Sequence, residues 1–229
     1  SQDCHPNGRN GQPFAPTDAL AIEFLAQLYE DDWISVHPET PLDSVEFSGD
    51  SIAFELDRVL WALPIESLSS TSADTAAHLE TLLHDQETWL PHWHDQQFEF
   101  ARKIAIYECL QQLEVSLAEH AYPFGVVDKA VQVFDVLLDD YAVAQVFNFI
   151  WRALRDTTDY YQREASAKKQ HAARIIVDSI QKQGSDAKTG HWDVKPYHRG
   201  PKSPQSIVSA VLFNDVLHLG DDAFYKPLR

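Results

Sequence analysis

Apolar positions recur most regularly in YAVAQVFNFIWRALRDTTDYYQRE, residues 141–164. Val143, Val146, Phe147, Ile150 and Leu154 are spaced three and four apart, so they share one face of a 3.6-residue helix. Asn148, Arg152 and Asp156 step by four along another face. The same periodicity predicts a helix after Thr17-Asp18, where Leu20, Phe24, Leu25 and Leu28 form a stripe behind an N-cap. It predicts a long helix from about His92 to Ala121, through Phe98, Ala101, Ile104, Ala105, Cys109, Leu113 and Leu117. Tyr122-Pro123-Phe124-Gly125 is a stop and turn, and a helix follows over Val126–Leu138. Another spans Ser166–Gln183 on Ala172, Ile175, Ile176 and Ile180.

Three further segments complete the pattern. Asp50 or Ser51 reads as the cap of a helix carrying Ile52, Leu56, Val59 and Leu60 and ended by Pro64. Residues 75–86 read as a helix behind a Ser/Thr-rich connection. Ser203-Pro204 opens a last helix with proline at its first position, with Ile207, Val208, Val211, Leu212 and Leu217 as its core and Gly220 as its stop. DDAFYKPLR then docks through Phe224 and Tyr225. Residues 33–49 read as a loop with a short, unpartnered strand at 44–47. Residues 184–203, GSDAKTGHWDVKPYHRGPKS, form the longest irregular segment, and long loops carry function more often than short ones. The expectation is an all-α fold, one bundle-like domain of about eight helices. Residues 1–16 form a flexible tail, 17–140 an acidic helical body, and 141–229 a basic helical part packed on that body.

Charge sharpens this division. The 229 residues carry a net −17, yet residues 1–150 hold 5 basic and 26 acidic side chains, a net of −21, while residues 151–229 hold 13 and 9, a net of +4. Such a body repels phosphate backbones and suits a basic partner, while the C-terminal part permits local anion binding. No apolar run approaches the ~20 residues that span a bilayer. Ser1 to Pro16 has neither a basic nor an apolar leader region, so no signal peptide is read there. Cys4 and Cys109 read as reduced thiols, which, with the charge and the helical pattern, suggests a cytoplasmic, bacterial protein. Methionine is absent, where an ordinary frequency of about 2% gives roughly five.

Candidate chemistry is sparse. Leu82-Leu83-His84-Asp85 resembles the central element of the helical HD-domain phosphohydrolases. That resemblance implies a divalent metal held by His84 and Asp85 with an upstream histidine (His37 or His78) and a downstream aspartate (Asp128, Asp135 or Asp139), activating water for attack on a phosphoester. The family continues with a small apolar residue and glycine, whereas Gln86-Glu87-Thr88 follows here. His92, His94 and Asp95 lie close by and join His84 and Asp85 as candidate metal ligands if the chain turns at Pro91. Asn148 and Arg152 are candidate anion ligands on a groove-facing row. The competing explanation is two stabilising ion pairs, Arg152–Asp156 and Arg155–Asp159. Lys168, Lys169, Arg174, Lys195 and Arg199 interleave with Trp192, Tyr197 and histidines. Residues 163–202 are therefore a candidate nucleic-acid or anion-binding stretch. No nucleophile elbow, P-loop or dinucleotide fingerprint occurs. The leading expectation is a regulatory or interaction module whose partner is a protein, with the metal-dependent hydrolase and the nucleic-acid-binding regulator as alternatives.

Overall fold

The computed structural model describes residues 12–48, 51–54, 58–63, 77, 81, 89–163, 169–190 and 192–228. The fold is mostly helical, with seven α-helices among the described residues. These are α1 (Asp18–Glu30), α2 (Pro91–Glu119), α3 (Val127–Leu137), α4 (Val143–Arg163), α5 (Ala172–Lys188), α6 (Ile207–Ala210) and α7 (Asp222–Tyr225). None of the helices among those residues is long and apolar enough to cross a membrane. Of the helix expected at 75–86, only Ala77 and Thr81 are described, both helical, and the rest lies outside the described residues.

α4 is central. It packs on α2, α5 and α7, while α3 packs on α2 and α5. Its apolar face is buried as the spacing requires, with Phe147, Phe149 and Ile150 inside. They meet Leu113 and Leu117 of α2, Phe134 of α3, and Ile176 and Ile180 of α5 in one core. Each fully buried side chain of this size contributes roughly 1.5–3 kcal/mol of transfer free energy. That core takes residues from both sides of position 140, so the acidic and basic stretches fold around shared contacts. A second cluster joins Ala101 and Ile104 to Leu212, Phe213 and Val216, and a third gathers Leu25, Ile34, Val59 and Trp61.

Several segments depart from the sequence pattern. The described residues of 51–63 are not helical: β2 (Val45–Ser48) pairs antiparallel with β3 (Ser51–Phe54), and β1 (Ser35–Val36) with β4 (Trp61–Ala62). Ser48 pairs with Ser51, and in the sequence a glycine-containing pair between two strands is a hairpin signal. The same pairing gives the strand foreseen at 44–47 its partner. α5 continues beyond Gln183 to Lys188. Gly184 does not cap it, but faces Leu137 so closely that a Cβ there would overlap the leucine side chain. The left-handed residue after this helix is Gly190, at φ 84°.

The last helix starts at Ile207, not Ser203. Ser206 is its N-cap, accepting from the Ser209 amide at 3.2 Å, and a π-helical stretch (Val211–Val216) follows. The end of the N-terminal tail explains the shift. Ile207 and Val208 donate their amides to the Pro13 and Phe14 carbonyls at 2.9 and 3.0 Å, satisfying donors that a helix start leaves open. Gln12 Nε2 also donates to the Gln205 carbonyl at 2.8 Å, so the tail is fixed from Gln12 onward.

Candidate functional site

A groove of about 480 Å³ runs between the C-terminal half of α2, the middle of α4 and the segment 197–203. Helical spacing aligns Trp151, Leu154, Arg155 and Thr158 along its α4 wall. The α2 wall carries Gln112, Ser116, Glu119 and His120, and the third wall Tyr197 and Gly200 to Ser203.

Two exposed aromatic side chains, one from each of two walls, meet here. Trp151 and Tyr197, 41% and 38% exposed, stack at 5.9 Å and 21°. The Arg155 guanidinium lies over the Trp151 ring, 5.0 Å from the centroid, a favourable cation–π arrangement. It also donates to Asp156 at 2.9 Å. Across the groove Lys202 pairs with Glu119 at 2.7 Å. The His120 Nδ1 is 3.0 Å from the Ser116 carbonyl, and its ring stacks on Tyr122.

The third wall comes from the segment expected to be an irregular loop, and it is pinned along its length. Gln145 Nε2 donates to the Val194 carbonyl at 3.0 Å, and the Tyr197 amide donates to the Ala144 carbonyl at 2.8 Å. The Ser203 hydroxyl donates to Gln112 Oε1 at 2.6 Å. The strongest tie is Arg199. Its Nη2 donates to both oxygens of Glu108 at 2.9 and 2.8 Å, while the Ser209 hydroxyl donates to the same carboxylate at 2.6 Å. Glu108 is 1% exposed, so it is a buried carboxylate neutralised by an arginine 91 residues away in sequence.

Among the described residues, those singled out in the sequence are engaged separately. His84, Asp85, His78 and Lys168 lie outside the described residues, as do the side chains of His94 and Asp95, whose backbone belongs to the first turn of α2. His92 is exposed, its ring 6.1 Å from Trp93. Among the described residues no group of three or more His, Cys, Asp or Glu is placed to hold a metal ion. Asp135 and Asp139 both bind Arg102, at 3.0 and 2.7 Å, Asp128 is exposed, and His37 Nδ1 accepts from the Glu39 amide at 3.2 Å.

On α4, Asn148 is half-buried. The expected i, i+4 ion pairs do not form: Arg155 takes Asp156, and the Arg152 guanidinium lies 3.8 Å from the centroid of the Trp192 ring. A tryptophan from a distant segment therefore displaces the local partner. Arg152 Nε and Trp192 Nε1 are both buried and unbonded. Lys169 sits 5.4 Å over the Tyr122 ring, and Arg174 and Lys195 are exposed. Glu108, Ser209, His120 and the Trp151–Tyr197 stack are absent from the sequence candidates. Only Glu108 leaves a sequence signal, as a carboxylate four residues after Ile104 on the apolar stripe of α2.

No family model matches the chain, and no curated protein or solved structure is found to be similar to it.

Proposed function

We propose that this protein is a cytoplasmic interaction module that docks an extended segment of a partner protein in the groove between α2, α4 and residues 197–203. The observation that carries this reading is the Trp151–Tyr197–Arg155 stack, exposed on walls that are already fixed. Trp, Tyr and Arg are the side chains that most often dominate protein interfaces. A preorganised wall also avoids the ordering cost that weakens binding to mobile loops. The net charge of −17 favours encounter with a segment whose apolar or aromatic anchor is flanked by lysine or arginine.

Part of the basic stretch is engaged within the protein, which supports a protein partner over nucleic acid at those positions, while Arg174 and Lys195 stay exposed. Arg199, Lys202 and Lys188 are each paired with a carboxylate of the acidic body, and Arg152 lies on Trp192. Phosphate contacts by these residues would have to displace those partners. The free, buried thiol of Cys109 suits a reducing compartment.

Selection from a random peptide library, with affinities then measured for the winners, tests the proposal. The expected winners share an apolar anchor with basic flanks. Trp151→Ala and Tyr197→Ala each weaken them by about thirtyfold, the loss that a 2 kcal/mol hot spot gives, while leaving the thermal midpoint near that of the parent. Winners that bind Trp151→Ala/Tyr197→Ala as tightly as the parent protein would refute the assignment.

A further inference from the structure

Behind the groove wall lies a second, smaller cavity of about 220 Å³, lined by His198, Arg199, Gln205, Gly220, Asp221 and Tyr225 together with the apolar residues beneath them. Adjacent positions of one segment serve the two spaces: Tyr197 and Gly200 to Ser203 line the groove, and His198 and Arg199 line the cavity.

Arg199 is only half used by the protein. Its Nη2 makes both bonds to Glu108, and its guanidinium lies 4.2 Å from the centroid of the Phe224 ring, but Nη1 is buried without a hydrogen-bond partner. Guanidinium carries five N–H donors and no acceptor, and a buried unpaired donor on a charged group costs upwards of about 1–3 kcal/mol. Native interiors rarely leave such a group unsatisfied. The neighbouring polar groups can complete a site. The His198 Nδ1 and the Tyr225 hydroxyl are bonded to each other at 2.8 Å, which orients the imidazole and leaves Nε2 for another partner.

We propose that this cavity binds a small oxyanion, a carboxylate or a phosphate, through Arg199 Nη1 and His198. Its size sets an upper limit on the ligand. Drug-sized ligands occupy roughly 300 Å³ or more, and 220 Å³ accommodates an ion or metabolite of few heavy atoms. The opposing charge is Asp221, whose side chain is exposed and therefore screened by water and salt. The Arg199 donor is buried, so its bond to an oxyanion is the stronger of the two effects. Glu108 does not take the Nη1 donors, because its oxygens are held by Nη2 and by the Ser209 hydroxyl; its charge offsets that of the guanidinium, so the oxyanion is held by hydrogen bonds rather than by net charge.

The test is an NMR titration of the ¹⁵N-labelled full chain with sodium acetate, with sodium phosphate, and with sodium chloride at matched ionic strength. Saturable shifts of the Arg199 side-chain signal and of the His198 and Gly220 amides are expected for acetate or phosphate, with a midpoint near 1 mM, ordinary for a small ion. Saturation by acetate alone assigns a carboxylate, by phosphate alone a phosphate. Arg199→Lys keeps a cation opposite Glu108 but lacks the second pair of donors, and is expected to weaken binding by about tenfold, a loss of about 1.4 kcal/mol. Tyr225→Phe leaves the Glu108 pair untouched and frees the imidazole, so it weakens binding even where Arg199→Lys fails to fold. Equal, unsaturating shifts with all three salts, or binding unchanged in a folded Arg199→Lys and in Tyr225→Phe, would overturn the proposal.

Discussion

Replacing Arg199 by alanine should destabilise the protein by about 3–4 kcal/mol. The Glu108 side chain is 2% exposed and that of Arg199 19%, so the substitution leaves a carboxylate in the interior with one donor, the Ser209 hydroxyl at 2.6 Å. Breaking a buried pair from one side costs about 3–5 kcal/mol, and the remaining hydroxyl returns roughly 1 kcal/mol of that. Loss of the stacking on Phe224 adds about 0.5–1 kcal/mol. Single domains are stable by only about 5–15 kcal/mol, so the effect is a large share of the total. With a urea slope of about 2–3 kcal/mol per molar, the unfolding midpoint should fall by about 1–2 M.

Urea unfolding followed by tryptophan fluorescence and by far-UV circular dichroism measures this shift, and coincident transitions license a two-state treatment. Two companions separate the buried charge from lost packing. Glu108→Gln in the Arg199→Ala background removes the orphaned charge and should recover more than half of the loss. Glu108→Leu with Arg199→Met replaces the pair by apolar groups and should lie near the parent or above it, as such replacements often do. A loss below about 1 kcal/mol, typical of exposed ion pairs, together with no recovery by Glu108→Gln, would refute the reasoning.

Gly184→Ala, which in an open helix would gain about 1 kcal/mol, should instead lower stability by about 1–2 kcal/mol, because the new methyl collides with the buried Leu137; the thermal midpoint reports the sign. Burial, reinforced by the charge of Glu108, pushes the Cys109 thiol well above its usual range. Iodoacetamide at pH 8 should therefore leave Cys109 unmodified in the native protein and alkylate it in urea, as peptide mapping would show. Burial, with Asp140 adding to it, holds the Tyr141 phenol above its usual range. The folded state therefore keeps this proton more tightly than the unfolded state. The associated stability is complete below about pH 10 and is lost as pH rises through the folded value. Urea midpoints from pH 8 to 11 should fall in the parent and fall less in Tyr141→Phe, which also loses about 1 kcal/mol with its 2.8 Å bond to the Gly184 carbonyl.

The helices that could be read from sequence are those whose information is local. α2, α3 and α4 have apolar stripes at helical spacing and clear stops, and each lies within about three residues of its expected bounds. The 51–63 stretch was ambiguous by nature. Val59 and Trp61 fit a strand as well as Val59 and Leu60 fit a helix, and short apolar runs do not separate the two periods. Pairing of β2 with β3 decides in favour of strands. The glycine at 184 resembles a stop until its close contact with α3 is known, and Ser203-Pro204 resembles a start until the tail supplies partners for the Ile207 and Val208 amides. The groove was less legible still. Trp151 and Tyr197 are separated by 46 positions and Glu108 and Arg199 by 91, and nothing local to any of the four encodes its partner. Arg152 shows the converse: a local partner, Asp156, was available, and the nonlocal Trp192 ring took its place.

The charge asymmetry has a structural use that composition alone does not show. Arg199, Lys202 and Lys188 of the basic part bind Glu108, Glu119 and Asp140 of the acidic body, and Lys129 of the body binds Asp178 in return. The two charge blocks thus meet within one chain. The exposed pairs among them contribute little stability each, but Arg199 with Glu108 and Lys202 with Glu119 anchor the segment that forms one wall of the groove. That segment also has a second side, facing the polar cavity. An oxyanion bound to Arg199 Nη1 would hold the same stretch of backbone that a docked peptide requires to be in place. Because protein contacts already hold that wall, the coupling between its two sides is expected to be small, and by linkage it is equal in both directions.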